Sequence, residues 1–146
     1  MRTVRDILST KTINQIYSIS PDLPTYDALK LMAEKDVGAI AVVQNGKLLG
    51  LLTEREYARR IVLEGKASRH TPVGDTMNTR LVFVDPAQSL EECMTLMTEK
   101  KMRYLPVMEN GNFIGLVSIG DVVKNVIIDY KYNVEQLERY ISGAHA

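Results

Sequence analysis

The sequence has few of the residues that usually announce a function. Among its 146 residues there is one cysteine, Cys93, two histidines, His70 and His145, and no tryptophan. One cysteine excludes an internal disulfide. Two isolated histidines and a lone thiol do not make metal-ligand spacing. No apolar run approaches the roughly 20 residues that cross a bilayer. The opening MRTVRDILST lacks the apolar core of a signal peptide. Net charge is lacking too: 18 Lys and Arg balance 18 Asp and Glu. That excludes nucleic-acid binding driven by overall charge, though not a local basic pocket. These absences predict a cytoplasmic protein with no nucleic-acid or membrane partner.

What is present is a repeat. Shifted by 65 residues, Pro21, Leu31, Met32, Glu34, Lys35, Val42, Asn45, Gly46, Gly50 and Leu51 fall without a gap on Pro86, Leu96, Met97, Glu99, Lys100, Val107, Asn110, Gly111, Gly115 and Leu116. A unit this short buries too little surface to be comfortable alone, so the copies are expected to share a core about a pseudo-twofold axis. Whatever cleft one copy builds, the other should build as well.

Each copy reads strand, helix, strand, strand, helix. In the second, Leu81–Val84 predicts a strand. Ser89 and Glu92 have capping-box spacing before a helix running to about Lys101, with Cys93, Met94 and Met97 at helical spacing. Cys93, Met32, Met94, Met97 and Met102 are read as core filling. Asn110-Gly111 predicts a type I′ hairpin between Tyr104–Met108 and Phe113–Val117. A closing helix from about Gly120 is expected to turn Val122, Val123, Val126 and Ile127 inward. In the first copy the matching elements are strand Ile16–Ile19, helix Tyr26–Lys35, a hairpin around Asn45-Gly46 from Ala39–Val43 to Leu48–Leu52, and helix Glu54–Leu63. Pro24 stands where the second copy has Ser89, and proline is tolerated in a first helical turn. Gly65–Pro72 reads as a polar loop. Val4, Ile7 and Leu8 form one apolar turn, and Tyr132–Ser142 reads as an added C-terminal helix. Its apolar side covers either the core or a neighbouring subunit.

The chemistry concentrates where each return strand meets its closing helix, at GLLTERE (Gly50–Glu56) and GLVSIGD (Gly115–Asp121). A glycine inside a strand marks the close approach of a ligand or another backbone. The hydroxyls Thr53 and Ser118 sit at helix N-termini, where free N–H groups favour an anion. The carboxylates Glu56 and Asp121, one turn on, can accept hydrogen bonds from the adjacent hydroxyls of a sugar. Phosphate and diol together describe a ribonucleotide. The plainer alternative is capping: T-x-x-E is itself a capping box and S-x-x-D a weaker one. The two are compatible, since one hydroxyl can cap an empty helix and meet phosphate when ligand is present. There is no nucleophile–base pair, and Gly46-Lys47 lacks the upstream glycine of a P-loop.

The repeated hairpins, RYLPV (Arg103–Val107) and above all GLVSIGD resemble a tandem pair of CBS domains, the Bateman module, across roughly residues 4–130. The resemblance implies an α/β fold of two β-α-β-β-α repeats packed with pseudo-twofold symmetry: repeats at 4–66 and 73–130, and a C-terminal helical extension at 131–146. It implies no enzyme and no catalytic cofactor. The implied ligand is an adenosine-containing small molecule such as AMP, ADP, ATP or NAD. In the second site Ser118 corresponds to the phosphate position and Asp121 to the ribose position. Arg103 fits a phosphate-side basic position, Tyr104, Leu105 and Pro106 the wall, and Thr79, Arg80 and Leu81 the backbone facing the base. In the first site the counterparts are Thr53, Glu56 in place of Asp, Gly38 and Ala39 in place of Arg103 and Tyr104, and Gln15, Ile16 and Tyr17. Arg55, with Arg59 or Arg60, supplies charge there unless these residues are simply a solvated helix face. Also implied are a homodimer pairing helix face to helix face and a separate protein target. The alternatives are a structural or interaction module with empty clefts and, more remotely, an enzyme acting on nucleotides.

Overall fold

The computed structural model describes residues 2–11 and 16–144. The chain divides into two compact units. One comprises Gln15–Val82 with Asn110–Phe113, and the other Met1–Asn14, Phe83–Glu109 and Ile114–Ala146. His145 and Gln15 lie outside the described residues.

In the first unit, β1 (Ser18–Ile19) runs parallel to β2 (Ala39–Gln44), which pairs antiparallel with β3 (Lys47–Thr53). Asn45 and Gly46 both take positive φ, 53° and 76°, as a type I′ turn requires. Helix α2 (Thr25–Lys35) lays Ala28 and Met32 against Ile19, Ile40, Val42 and Leu52. Pro24 is the N-cap rather than a first-turn residue. It offers no capping side chain, and the Thr71 carbonyl takes the otherwise unpaired Thr25 N–H at 2.8 Å. The buried Thr25 hydroxyl is satisfied by the Thr71 carbonyl and the Thr76 hydroxyl, each 2.9 Å away.

The expected closing helix is only partly α. A single turn, α3 (Glu54–Tyr57), passes into a π-helical turn over Ala58–Val62. The expected loop contains a 3₁₀ turn (Ser68–His70), and a helical turn the sequence reading lacks, α4 (Val73–Thr76), follows the loop directly.

The second unit repeats the plan. Helix α5 (Leu90–Lys100) is capped by the Ser89 hydroxyl, which accepts from Glu92 N at 3.1 Å. The hairpin of β4 (Tyr104–Glu109) and β5 (Asn112–Ser118) turns at Asn110 and Gly111, with φ of 52° and 79°. The expected strand Leu81–Val84 is reduced to one parallel bridge, Val84 with Val107. Cys93 and Met97 are buried, and burial pushes the Cys93 thiol up to about 11, as expected of a core residue. Met94 is not core: it is 41% exposed.

The expected C-terminal helix is not separate. Helix α6 runs unbroken over Ile119–Ala144, 26 residues. Val122 and Asn125 face inward, but Val123 and Ile127, both expected inside, are exposed. The helix buries one narrow stripe and leaves the adjoining apolar positions in solvent.

The lead-in forms α1 (Val4–Ser9), capped reciprocally by Thr3 and Asp6. It has a counterpart that the 65-residue register conceals. Val4 and Asp6 align with Val73 and Asp75 at a spacing of 69. The backbone confirms the match. Val4 N and Arg5 N donate to the carbonyls of Gln88 and Pro86, and Val73 N and Gly74 N donate to those of Leu23 and Pro21. Each leading helix therefore packs with the repeat it does not immediately precede. Helix α1 belongs with the second repeat, and α4 with the first.

This arrangement explains the strand glycines. A Cβ on Gly50 would stand 2.8 Å from the Asn78 carbonyl, and one on Gly115 2.9 Å from Cδ2 of Leu8. The close approach is made by protein, just after α4 in one unit and within α1 in the other. Backbone cannot yield as a leucine methyl can. Gly50→Ala is thus expected to cost about 1–3 kcal/mol and Gly115→Ala less. Denaturant unfolding of the two variants checks the order, and equal losses would contradict it.

Candidate functional site

The two strand–helix junctions are built alike from backbone upward. At the end of β3 the Gly38 carbonyl accepts the Glu54 N–H at 3.3 Å; at the end of β5 the Arg103 carbonyl accepts the Ile119 N–H at 2.8 Å. The positions aligned by sequence are thus brought to the matching helix N-termini. The Thr53 hydroxyl accepts from Arg55 N at 3.2 Å, and the Ser118 hydroxyl accepts from Asp121 N at 3.1 Å. Glu56 Oε2 accepts from Thr53 N at 3.2 Å and from the Thr53 hydroxyl; Asp121 Oδ2 accepts from Ser118 N at 2.9 Å. Both junctions are reciprocal capping boxes.

The two carboxylates differ in their surroundings. Glu56, with its extra methylene, folds back on its own cap and is buried, 6% exposed. Asp121 is partly exposed and forms an ion pair with Lys11, Nζ to Oδ2 2.9 Å; the same ammonium donates to the Leu116 carbonyl at 2.8 Å. Sequence reasoning missed Lys11, because its position beside Asp121 follows from α1 packing with the second repeat. A neighbouring contact has the same origin: the buried Asn125 amide donates to the Thr10 hydroxyl at 3.2 Å and to the Asp121 carbonyl at 2.8 Å.

The remaining candidates fall as follows. Arg103 is exposed at the start of β4, Tyr104 is half-buried, and Leu105 and Pro106 are buried. The Pro106 carbonyl accepts from Val84 N at 3.0 Å. Thr79 and Arg80 are exposed and Leu81 half-buried in a segment without regular structure; they group with the first unit, and Arg80 N is held by the Asn78 side chain at 3.0 Å. Ala39 pairs with Thr53 across the β2–β3 ladder. Ile16 and Tyr17 are half-buried, and the Tyr17 carbonyl is taken by Ala41 N at 3.1 Å, so that acceptor serves the sheet. Arg55 is exposed. Arg60 is already committed, since its guanidinium donates to the Met77 carbonyl at 2.6 Å, just past the last turn of α4. It ties down a chain segment rather than charging a cleft.

Two of the grooves on the helical faces border these elements. One, about 470 Å³, is bordered by Met32, Asp36, Gly38, Glu54 and Tyr57; the other, about 290 Å³ and markedly apolar, runs between α5 and α6 along Met94, Ile119, Val123 and Ile127. Among the described residues no group of His, Cys, Asp and Glu is placed to hold a metal ion, and no helix is long and apolar enough to cross a membrane.

Capping alone predicts a stability effect at both junctions. Ser118→Ala and Thr53→Ala should each cost about 1 kcal/mol in the absence of any small molecule, as loss of an N-cap hydroxyl does. Thermal melts followed by circular dichroism measure it; unchanged melting would show that these hydroxyls are not structural caps.

The CBS domain family profile matches residues 4–63 and 73–128. The first of these stretches begins at α1 and the second at α4. The chain is 36% identical over 151 residues to the CBS domain-containing mitochondrial protein CBSX3 of Arabidopsis thaliana, an alignment covering 98% of this chain and 73% of the relative. Among solved structures, it is similar to a CBS-domain protein of Burkholderia ambifaria MC40-6 assigned to signal transduction, with 48% identity, a TM-score of 0.83, and coverage of 87% of this chain and 95% of the other. A hexameric CBS-CP12 protein from bloom-forming cyanobacteria shares the fold at 22% identity and a TM-score of 0.72, over 83% of this chain and 66% of that one. None of these names is that of an enzyme.

Proposed function

This chain belongs to the CBS-domain family as a tandem regulatory module of the signal-transduction type, and on that premise we propose that it binds an adenosine-containing ligand and reports it to a separate protein. The observation that carries the reading is the second junction. There the backbone of an exposed arginine, a capping hydroxyl and a partly exposed carboxylate meet at the N-terminus of a long helix. Helix N–H groups and Arg103 favour phosphate. Asp121 uses Oδ2 for its cap and its ion pair, and Oδ1 makes neither contact. A ribose diol can therefore donate to Oδ1 without dismantling the cap. Lys11, ion-paired to Oδ2, adds a second positive group to the phosphate-attracting end.

The first junction is the weaker one. Glu56 is folded back and buried, Gly38 brings no charge, and Arg60 is engaged elsewhere. A mononucleotide such as AMP should therefore prefer the Ser118–Asp121 junction. The first accepts it weakly, or takes a longer adenosine ligand such as a dinucleotide.

The copies are proposed to associate as homodimers through their helical faces. The apolar groove between α5 and α6 supports this: Met94, Ile119, Val123 and Ile127 leave an exposed apolar surface of the kind that marks an interface. The cyanobacterial neighbour is itself hexameric.

Ligand that binds only the folded chain stabilises it by about 2.7 kcal/mol at a hundredfold excess over Kd. Melting temperature is expected to rise with AMP, ADP, ATP or NAD and to stay put with adenine. No response to millimolar amounts of any of the four would leave the module without this ligand class. Asp121→Ala should weaken AMP by about 1.5–3 kcal/mol, the worth of charge-assisted hydrogen bonds, and Glu56→Ala by distinctly less. Calorimetric titration compares them; equal losses would mean the sequence asymmetry has no functional counterpart.

A further inference from the structure

Helix α6 carries a second apolar stripe that its own unit does not cover. Val123, Ile127, Tyr130, Val134, Leu137 and Ile141 follow one another at intervals of four, three, four, three and four residues. That is the seam of a coiled coil, not the broader stripe of a helix packed on a domain. Ile127 is 49% exposed, Tyr130 69% and Leu137 62%. Beyond Asp129, held to Arg2 at 2.5 Å, the helix continues with almost every residue exposed. A helical segment of this length is marginal in water without a partner along its apolar side.

We propose that α6 pairs antiparallel with α6 of a second copy along this stripe, the partner's Ile141 lying beside Val123. The pairing rests on the homodimer reading and specifies the contact. Orientation is decided by the flanks of the seam. One flank carries Lys124, Lys131 and Glu138, and the other Val126, Asn133 and Tyr140. In a parallel pair the unlike flanks meet, and lysines and a glutamate face Val, Asn and Tyr with no opposite charge in reach. In an antiparallel pair like flanks meet. Centred at residue 132, the six apolar positions then interdigitate along their whole length. Lys124 meets the partner's Glu138, Val126 meets the partner's Tyr140, and each pairing occurs twice. Lys124 is held at this flank, its Nζ 3.3 Å from the Thr10 carbonyl. Lys131 meets its own copy across the axis, a like-charge contact that long side chains in solvent can splay to relieve. The apolar groove of Met94, Ile119, Val123 and Ile127 lies at the end where the partner's Ile141 arrives. The surface is complementary to itself, as a twofold interface requires.

The test is sedimentation of the full chain at tens of micromolar, with Lys124→Glu, Glu138→Lys, the double exchange and Leu137→Asp. The expected result is a dimer. Either single reversal raises its dissociation constant about tenfold, the double exchange returns it to within about threefold of the starting value, and Leu137→Asp gives monomers with helix content retained. A dimer indifferent to Leu137→Asp and to both reversals would overturn the seam while leaving the homodimer reading intact. Single effects without rescue would overturn the antiparallel register. A monomeric parent chain would overturn both readings.

Discussion

The structure turns on two short helices that each pack with the repeat they do not immediately precede. Helix α1 precedes the first repeat but lies in the unit of the second, and α4 precedes the second but lies in the unit of the first. The same pair of backbone hydrogen bonds docks each, onto Gln88 and Pro86 or onto Leu23 and Pro21. Val4 and Val73 are then completely buried, and the strand glycines are explained as places where a neighbouring segment leaves no room for a Cβ. A repeat too small to close its own core borrows the last piece from a segment elsewhere in sequence.

That exchange also shapes the candidate ligand site. Lys11 follows α1 directly, so the helix that completes the second unit also brings an ammonium to Asp121. The corresponding segment after α4 supplies Asn78, whose backbone pairs with Leu51 in both directions and extends the edge of β3. The two junctions share their caps but not what surrounds them. One carboxylate is half-open and ion-paired, and the other is buried against its own helix. Capping and binding do not compete here, since a box that fixes Asp121 by one oxygen presents the other in a defined direction.

Much of this was legible in the sequence, for physical reasons. Asn-Gly forces a type I′ turn almost regardless of context, so both hairpins could be placed closely. Ser118 with Asp121 and Thr53 with Glu56 are local in the chain, and local spacing determines whether a cap can close. What the sequence concealed was non-local. The shift from 65 to 69 residues between the repeats and their leading helices hid α4, which begins just past the apparent loop. The first strands shrank to two residues and a single bridge, and alternation in the sequence does not say how much of a strand will pair. Lys11 and Asn125 acquire their roles only through packing across more than a hundred residues. Val123 and Ile127 fit a core stripe by spacing, but helical period alone does not say which of two apolar stripes a domain covers.

The central claim is that the Ser118–Asp121 junction receives a ribonucleotide. It is tested most directly by calorimetric titration of the full chain with AMP and with 2′-deoxy-AMP. The account predicts saturable binding of AMP and clearly weaker binding of the deoxy compound, because a carboxylate that reads a ribose diol loses a donor when the 2′-hydroxyl is gone. Equal affinity for the two, or no saturable heat with AMP at millimolar concentration, would contradict it.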